Sequence, residues 1–376
     1  MKKYIYFCFL LTPLASVSQQ RGFRSVNDMN ADEPRFSFGA AKQRTASISL
    51  GDINNDGKID AVVANGRHWP ETNYIFYNSG NGFNVMKPLD NVSSTSYAAR
   101  LVDLDNDKDL DIVEINDNAP HRIYINDGVG NFSFHSEAGE VSHARNIATG
   151  DLDNNGYTDF IITNRGQQNM ICYNKGNLTF ECVKLQTQRN STIDIAIRDL
   201  NGDGLPDLIL ANRDNVPNEI LLNKGNRQFE KKLDFGSGSL ETRSVAIADI
   251  NNDGQLDIVT GNIKGANIIY LGNKNFTFTD TLIFGSKDID TYSIAVADFN
   301  KDGFMDIVAG NYEKPSSVFM NVDGRSFEEI LLTDRASRTY GVTVGDINAD
   351  GWMDVVIANS DDFNLYYLNI FKNKSR

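Results

Sequence analysis

Short apolar stretches recur along the chain in the same order, with a period of 48 to 51 residues. Each period contains an alternating stretch, a continuous apolar stretch such as Ala61–Asn65, a third stretch that ends near an Asn-x-x-Gly turn, and a fourth that opens on or near Phe. All are too short for buried helices and are bounded by turn residues. The pattern therefore predicts four antiparallel strands in every period.

A unit of four antiparallel strands repeated at a fixed interval is typical of a β-propeller. Seven copies predict an all-β, seven-bladed β-propeller with four-stranded antiparallel blades. The seventh copy ends after its third strand, Asn364–Asn369, whereas Arg35–Ala40 before the first copy has the pattern of a fourth strand. We expect this N-terminal strand to close the last blade, so that residues 33–376 form a single domain.

The N-terminus begins with basic residues, continues with an apolar stretch from Tyr4 to Ala15, and then has small residues. This pattern predicts a secretory signal peptide over residues 1–20, followed by a short linker over residues 21–32. No other stretch has the ~20 apolar residues that a membrane-spanning helix needs. We therefore expect a secreted or periplasmic protein without a membrane span.

Two cysteines remain after removal of the signal peptide. Cys172 and Cys182 flank a predicted hairpin turn at Lys175–Thr179. Opposite positions on a hairpin favour a cross-strand disulfide in an oxidising compartment. Two separate buried thiols are the alternative, because cross-strand bridges are often geometrically strained.

A nine-residue acidic loop separates the first and second strands of every copy, as in DINNDGKID (Asp52–Asp60). Positions 1, 3, 5 and 9 are Asp or Asn throughout, and position 6 is Gly in six copies. Oxygen atoms at alternate positions of a tight loop can converge on one Ca²⁺, and Gly provides the left-handed turn that the loop needs. A set of metal-free Asx turns is the alternative interpretation.

The calcium hypothesis predicts up to seven structural sites, with the side chains at positions 1, 3, 5 and 9 as ligands. These are Asp52, Asn54, Asp56, Asp60, Asp103, Asp105, Asp107, Asp111, Asp151, Asp153, Asn155, Asp159, Asp199, Asn201, Asp203, Asp207, Asp249, Asn251, Asp253, Asp257, Asp298, Asn300, Asp302, Asp306, Asp346, Asn348, Asp350 and Asp354. Two loops depart from the pattern, since Lys108 replaces Gly in the second loop and Asn155 removes a charge from the third. We expect these two loops to bind calcium most weakly.

The charge of the chain supports the metal hypothesis. The formal net charge is −14, and many carboxylates held in short loops repel one another without counter-ions. Loss of Lys2 and Lys3 with the signal peptide would make the charge −16, and seven Ca²⁺ ions would bring it to −2. The negative charge also argues against nucleic acid as a partner.

The loops and the strands around them closely resemble the FG-GAP and VCBS repeats of secreted bacterial proteins and of the integrin α-subunit head. The resemblance implies calcium in the loops between first and second strands, and ligand binding on the opposite face. It also implies a role in adhesion, carbohydrate binding or, as in other propeller enzymes, polysaccharide cleavage. Fold alone does not choose among these functions.

The loops on the opposite face break the repeat pattern and contain the candidate site. The sixth residue before each acidic loop is expected near the central axis, and in copies two to seven it is Tyr97, Arg145, Ile193, Arg243, Tyr292 or Tyr340. Aromatic and guanidinium groups suit sugar faces, carboxylates and sulfates. The candidate ligand-binding residues are Trp69, Arg122, Arg165, Arg243, Tyr292 and Tyr340. If the protein is an enzyme, the candidate catalytic residues are His68, Tyr97, His121, His143 and Arg145.

Three functional hypotheses remain open from the sequence. The first is a module that recognises a polysaccharide, a surface glycan or a protein, and we prefer a glycan because of the mixture of aromatic residues and Arg. The second is a polysaccharide lyase, in which Arg neutralises a uronate and His or Tyr transfers a proton. The third is a structural adhesion repeat without a small ligand. The sequence does not indicate an oligomeric state.

Overall fold

The computed structural model describes almost all of the chain from before the first acidic loop to near the C-terminus. The described residues are 23–24, 37–39, 41–80, 82–185 and 190–370. They form strands joined by turns and contain no helix, which confirms the predicted all-β class. A search of these residues for a helix able to cross a membrane accordingly finds none. The predicted signal peptide at 1–20 and most of the predicted linker at 21–32 lie outside the described residues.

The strands are numbered along the chain, and each repeat is named by the order of its acidic loop. The first three repeats and the segment before them contain β1 (Phe23–Arg24), β2 (Gln43–Gly51), β3 (Asp60–Asn65), β4 (Glu71–Asn78), β5 (Phe83–Ser94), β6 (Ser96–Val102), β7 (Asp111–Asn116), β8 (His121–Asn126), β9 (Phe132–Ala138), β10 (Ala144–Gly150), β11 (Asp159–Gln167), β12 (Met170–Asn174) and β13 (Phe180–Lys184). The last four repeats contain β14 (Asn190–Arg198), β15 (Asp207–Asn212), β16 (Asn218–Asn223), β17 (Phe229–Phe235), β18 (Glu241–Ala248), β19 (Asp257–Ile263), β20 (Asn267–Leu271), β21 (Asp280–Phe284), β22 (Thr291–Ala297), β23 (Asp306–Lys314), β24 (Ser317–Asn321), β25 (Phe327–Leu331), β26 (Ser337–Gly345), β27 (Asp354–Asp362) and β28 (Leu365–Asn369).

Consecutive strands pair antiparallel within each repeat, as β2–β3–β4–β5 do in the first. The second strand of each repeat is the most deeply buried, as its apolar sequence predicted. Apolar clusters fill the space between neighbouring repeats. One further cluster joins Ile48 and Val63 of the first repeat to Val356 and Tyr366 of the last. The fold is therefore β-propeller-like, with a core shared between successive sheets.

The N-terminal segment contacts the last repeat through two short pieces. Ser37 forms an isolated bridge with Leu365, and β1 pairs antiparallel with β28. The Phe38 ring is buried and stacks on Phe83 with 4.3 Å between ring centroids. The remainder of the predicted strand Arg35–Ala40 lies outside the described residues.

The hairpin between β12 and β13 carries the two cysteines. Cys172 and Cys182 are directly opposed in the strand register and form a disulfide. The turn between them is closed by a hydrogen bond from the Lys175 N–H to the Thr179 carbonyl at 2.8 Å. Of the two alternatives that the sequence left open, the structure contains the cross-strand bridge.

Every first strand has a β-bulge at the sixth residue before its acidic loop. In the second repeat, the pairing with β7 includes Ser96 and Ala98 but skips Tyr97 between them. The same shift occurs in the other repeats. A bulged residue leaves the regular ladder, and the bulge re-aims its side chain. The bulged residues are Ala46, Tyr97, Arg145, Ile193, Arg243, Tyr292 and Tyr340.

Buried Asn and Thr side chains link the repeats at the end of the strands opposite the acidic loops. In the third repeat, Asn169 accepts a hydrogen bond from the Asn164 N–H and donates one to Thr192 Oγ1 of the next repeat, both at 2.8 Å. Thr192 donates in turn to Asn212. Similar bonds follow from repeat to repeat, and the last one reaches Thr45 of the first repeat. We call this line of hydrogen bonds the Asn–Thr belt.

Candidate functional site

The acidic loops define one face of the molecule and share one tight turn. In the first loop, the Asp52 carboxylate accepts the N–H groups of Asp56 at 3.0 Å and Gly57 at 2.8 Å. Asn54 Oδ1 also accepts from the Asp56 N–H. The residue at position 6 has a positive φ in every loop, including φ 79° at Lys108. The predicted left-handed turn at position 6 is therefore confirmed.

The Asp at position 9 is buried in every loop. Asp354, for example, accepts the N–H groups of Ile347 at 2.9 Å and Asn369 at 2.8 Å, so its carboxylate ties the loop to the third strand. Burial raises the pKa of Asp111, Asp306 and Asp354 to about 7, and other carboxylates of the same loops add to the shift. A cation bound in the loop would oppose that shift.

Acidic groups converge most closely in the second and third loops. The carboxylates at positions 1, 3 and 9 place one oxygen each within 4.8 Å of one another in two clusters, Asp103–Asp105–Asp111 and Asp151–Asp153–Asp159. Both clusters could hold a metal ion. In the first loop, position 3 is Asn54, and its amide oxygen accepts the N–H of position 5. The carboxylate of Asp105 accepts the equivalent N–H in the second loop.

The third loop also contains a cation supplied by the protein. Arg227 Nε, from the outer hairpin of the next repeat, donates to Asp153 Oδ2 at 2.8 Å. Arg227 also pairs with Glu181 at 2.9 Å. The other carboxylate oxygen, Asp153 Oδ1, is buried without a hydrogen-bond partner. This loop therefore keeps one oxygen available, although part of its charge is neutralised. The weaker binding expected at Lys108 and Asn155 stays a prediction.

The opposite face, which we call the variable-loop face, opens into a cavity of about 130 Å³. The first strands of all seven repeats line it, and at the variable-loop end its wall carries six bulged side chains. These are Tyr97, Arg145, Ile193, Arg243, Tyr292 and Tyr340. In the first repeat the bulged residue is the small Ala46, and Arg67 from the following loop lines the cavity as well. The sequence analysis did not single out Arg67. The only sign in the sequence was that the first repeat has the small Ala46 where the other repeats have a larger residue.

Arg67 and Arg243 both face tyrosine rings in this cavity. The guanidinium carbon of Arg67 lies 3.6 Å from the Tyr340 ring centroid. That of Arg243 lies 4.4 Å from the Tyr292 centroid and 5.6 Å from the Tyr340 centroid. Tyr312 stacks on Tyr292 at 4.8 Å and extends the aromatic cluster. Burial lowers the pKa of Arg243 to about 10, so the side chain is still cationic at neutral pH.

A second group of polar side chains lies where the first three repeats meet the cavity. Arg145 faces the Tyr97 ring at 4.5 Å and contacts Asp117 at 3.0 Å. Tyr97 Oη lies 3.3 Å from His68 Nδ1, and His143 Nδ1 lies 3.2 Å from Asp117. Burial lowers the pKa of His68, which favours its neutral form. The structure thus brings together four of the five candidate catalytic residues. Asp117, a residue to which the sequence gave no role, joins Arg145 to His143.

A groove of about 350 Å³ adjoins the cavity between the first and second repeats. His68, Asp117 and Arg122 are among the residues that line it. His68 and Asp117 therefore face both the groove and the polar side chains described above. Arg122 is held by Asp90 at 3.3 Å. Trp69 follows His68 in the chain and is 65% exposed. An exposed, rigid ring beside a groove is suited to stacking on an apolar sugar face.

Two candidate residues have structural partners instead. His121 is 1% exposed and belongs to the Asn–Thr belt. Its Nδ1 accepts the Asn116 N–H at 3.1 Å, so Nε2 carries the proton and donates to Ser142 Oγ at 3.1 Å. It takes the place of a belt Asn and lines neither the cavity nor the groove. Arg165 makes two hydrogen bonds to Asp214, at 2.9 and 3.0 Å, and so connects the variable loops of the third and fourth repeats.

Repeated antiparallel sheets, each with an acidic loop between its first and second strands, define an all-β protein with a β-propeller-like fold. The sequence model of the FG-GAP-like repeat matches residues 52–114, 103–162, 199–260, 251–309 and 298–357. These matches cover most of the chain, and the protein belongs to the FG-GAP-like repeat family. No curated protein sequence matches the chain significantly.

Solved structures with a similar fold include two lectins. The BP39L lectin from Burkholderia pseudomallei is 9% identical with a TM-score of 0.67, over 87% of this chain and 96% of the lectin. A lectin from Agrocybe aegerita, solved for its recognition of non-reducing terminal N-acetylglucosamine, is 20% identical with a TM-score of 0.51, over 78% of this chain and 81% of that one. BBS1N, solved in complex with ARL6DN, is 9% identical with a TM-score of 0.59, over 92% and 96%. At these identities the similarity shows the fold alone.

Proposed function

We propose that this protein is a secreted, calcium-stabilised, seven-bladed β-propeller that recognises a polysaccharide or a surface glycan through its variable-loop face. The observation that carries the proposal is the cavity where bulges direct Tyr and Arg side chains from successive repeats to one place. Such a mixture provides stacking surfaces and fixed cations. The structural similarity to two lectins supports a carbohydrate ligand.

A closed ring of seven blades is supported by contacts between the two ends of the described chain. β2 pairs with β27, and the belt continues from Asn364 Nδ2 to Thr45 Oγ1 at 2.8 Å. Phe38 packs in the cluster that joins the first and last repeats. The N-terminal segment would supply the outermost strand of the seventh blade. Secretion is supported by the Cys172–Cys182 disulfide, since such bonds persist in oxidising compartments.

Calcium in the acidic loops is supported by the donor set. Each loop offers carboxylate and backbone oxygens, and six of the seven add an amide oxygen at position 3 or 5; these are the ligands that Ca²⁺ prefers. The buried and unpaired Asp153 Oδ1 is an oxygen without another function. The residues present therefore fit the ion. Bound Ca²⁺ would supply charge neutralisation and hold the ends of each loop together, and no part of the proposed ligand recognition depends on contact with it.

Glycan binding is tested by isothermal titration of the purified protein with acidic and neutral polysaccharides. We expect binding to weaken at least tenfold in Trp69→Ala and in Tyr97→Phe, because both chain neighbours of Trp69 line the groove and Tyr97 lines the cavity. Arg335→Gln is the matched control on the same face, since Arg335 is paired with Asp362 at 2.8 Å and lines neither space. The melting temperature should be nearly unchanged in all three variants. Binding that is indifferent to Trp69 and Tyr97 would contradict the proposal.

A polysaccharide lyase is the second candidate, and one contact favours it. Neutral His68 lies 3.3 Å from Tyr97, and Arg145 faces the same ring. Arg145 would neutralise the uronate carboxylate, one of the pair His68 and Tyr97 would remove the proton α to it, and the other would protonate the leaving glycosidic oxygen. The products would be an unsaturated uronate and a new chain end.

The lyase hypothesis is tested by the ultraviolet absorbance of the unsaturated uronate. Pectate, alginate and ulvan are incubated with wild-type protein, with Tyr97→Phe and with His121→Asn. Activity that disappears in Tyr97→Phe and persists in His121→Asn would establish the lyase. Binding of a glycan without any absorbance change would leave recognition as the function.

A further inference from the structure

Within the described part of the chain, two guanidinium groups of the cavity lack both an acidic partner and a hydrogen-bond acceptor for Nε, whereas Arg100, which also lines it, donates to the Ile147 carbonyl at 3.2 Å. Among the described residues, neither Arg67 nor Arg243 forms an ion pair, and the Nε atom of each is buried without a hydrogen-bond partner. Other arginines of the same face are paired, such as Arg145 with Asp117. A buried N–H without a hydrogen-bond partner is unfavourable. Two such groups in one cavity indicate a missing hydrogen-bond acceptor.

The two guanidinium groups lie in the same part of the cavity. Both approach the Tyr340 ring, at 3.6 Å for Arg67 and 5.6 Å for Arg243. Because both distances end on the same centroid, the two guanidinium carbons cannot be farther apart than their sum. Stacking on tyrosine fixes the planes of these side chains without using their N–H groups.

We propose that Arg67 and Arg243 form a binding site for an oxyanion carried by an acidic sugar, a carboxylate or a sulfate ester, at the mouth of the cavity. This inference rests on the proposed glycan recognition and names the ligand class. Planar guanidinium groups bind such oxyanions through two parallel hydrogen bonds. The cavity of about 130 Å³ is smaller than the roughly 300 Å³ of a small-molecule pocket. It therefore takes the charged group, while the sugar ring lies outside, toward Tyr97, Tyr292 and the groove.

The acidic groups of this region do not compete for the site. Asp117 contacts Arg145 and His143. Asp194, one residue beyond the bulge in the fourth repeat, accepts hydrogen bonds from four groups of the wall, the side chains of Asn146 and Ser244 and the backbone N–H groups of Ile195 and Val245. Its carboxylate is therefore satisfied. Glu241, near Arg243 in sequence, is paired with Arg213 and Lys264.

Matched ligands test the inference on the wild-type protein. Isothermal titration compares methyl α-galacturonate, the methyl ester of the same sugar, galactose 6-sulfate and sodium sulfate. We expect one or both charged sugars to bind at least tenfold more tightly than the ester, in which a methyl group replaces the negative charge of the acid. Equal affinity of acid and ester, together with no tighter binding of galactose 6-sulfate, would overturn the inference and leave glycan recognition intact. If only sodium sulfate bound tightly, the proposal that the oxyanion is carried by a sugar would be wrong. If no charged ligand bound, the proposal of an oxyanion site would be wrong.

Variants locate the site. Arg67→Gln and Arg243→Gln should each reduce the affinity for the charged sugar at least tenfold and leave the affinity for the ester unchanged. Arg335→Gln, in which a paired arginine is removed, should affect neither. If a Gln variant does not fold, Arg67→Lys keeps the charge but not the planar fork, and an affinity loss limited to the charged sugar is the expected result. Equal losses in Arg67→Gln and Arg335→Gln would contradict the assignment.

Discussion

The two faces of this molecule differ in how strictly they repeat. On the acidic-loop face, seven loops share one turn, a hydrogen bond from the N–H at position 6 to the carboxylate at position 1, and a buried Asp at position 9. On the variable-loop face, the bulge recurs in every repeat, but the bulged side chain changes from Ala to Ile, Tyr or Arg. The β-bulge is therefore repeated, whereas the chemical type of the bulged side chain is not. Uniformity indicates a contribution to stability, and variation at a fixed position is what the proposed recognition of a chemically asymmetric ligand would require.

Each face carries one of the two tryptophans, which makes the comparison measurable. Trp352 is at position 7 of the seventh acidic loop, with Lys301 Nζ 4.5 Å from its ring. Trp69 is exposed beside the groove. Fluorescence of Trp69→Phe reports on the acidic-loop face alone, and fluorescence of Trp352→Phe reports on the variable-loop face alone. Calcium should change the first signal and a glycan the second.

Removal of calcium should have the largest effect, and it should act from the acidic-loop face. A ligand that binds only the folded state adds about 2.7 kcal/mol per site at a hundredfold excess over its dissociation constant. Loss of several sites should lower the melting temperature by about 10 °C or more. Circular dichroism melts of Trp69→Phe with chelator, and again after calcium is restored, measure this effect. An unchanged melt, with metal analysis showing no calcium in the purified protein, would contradict the calcium proposal.

Removal of the Phe38 aromatic ring, where the first and last repeats meet, should have the next largest effect. Phe38 is buried against Phe83 and lies 5.8 Å from Tyr366 between ring centroids. Phe38→Ala should reduce the free energy of unfolding by about 3 kcal/mol, the usual result of removing a buried ring. Phe134→Ala is the control, because Phe134 is an exposed residue of β9. Urea unfolding in which both variants lose the same small amount would show that the N-terminal segment does not close the ring.

The repeat pattern was sufficient to predict the strands, the loop turn and the side chains around the cavity. Fixed spacing transfers each of these from one copy to the next, and the sixth residue before each acidic loop lines the cavity as expected. Residues outside the shared spacing could not be placed in this way. Arg67 reaches the cavity from a loop in which the belt Asn follows Asn65 by eight residues, a spacing that differs from that of the other repeats. Asp117 acquires its role only from contacts with Arg145 and His143.

His121 shows the opposite error, because a unique residue type was taken as a sign of function. In the third, fifth and seventh repeats, the belt Asn follows the Asn at the end of the second strand by five residues. His121 follows Asn116 by the same spacing. Comparison of the copies at this register would have placed His121 in the belt. An imidazole can replace an amide there because it also has one acceptor and one donor.

His121→Asn should therefore reveal a smaller, pH-dependent effect on the variable-loop face. Burial lowers the pKa of His121 to about 4 from its ordinary 6.5. Between these values the unfolded chain binds a proton that the folded protein does not, so the stability contributed by neutral His121 is complete above pH 6.5 and decreases as the pH falls toward 4. The loss amounts to about 3 kcal/mol.

The measurement is urea unfolding of the wild type and His121→Asn at neutral and at acidic pH. At neutral pH the two proteins should agree within about 1 kcal/mol, because Asn makes the same two hydrogen bonds. At acidic pH the variant should become the more stable of the two. Taking the difference between the proteins removes the titration of the acidic loops, which both share. A difference that does not change with pH would show that His121 is not buried in its neutral form.

The smallest predicted effect concerns the one acidic loop without Gly at position 6. Lys108 adopts φ 79°, a conformation that costs a residue with a Cβ about 1 kcal/mol and glycine almost nothing. Lys108→Gly should stabilise the protein by up to about 1 kcal/mol in chelator, where only the backbone term acts. In calcium the gain should be larger, because a positive charge also leaves the predicted ion site.

The reciprocal change provides the control for this prediction. Gly156 occupies position 6 of the third loop with φ 87°, and a Cβ there would meet no atom within 4 Å. Gly156→Lys should therefore lose stability through backbone strain rather than through a clash, by an amount close to what Lys108→Gly gains. Melting curves of both variants, with chelator and with calcium, separate the two contributions. If Lys108→Gly were less stable than the wild type in chelator, the lysine would have a structural role that its exposed position does not show.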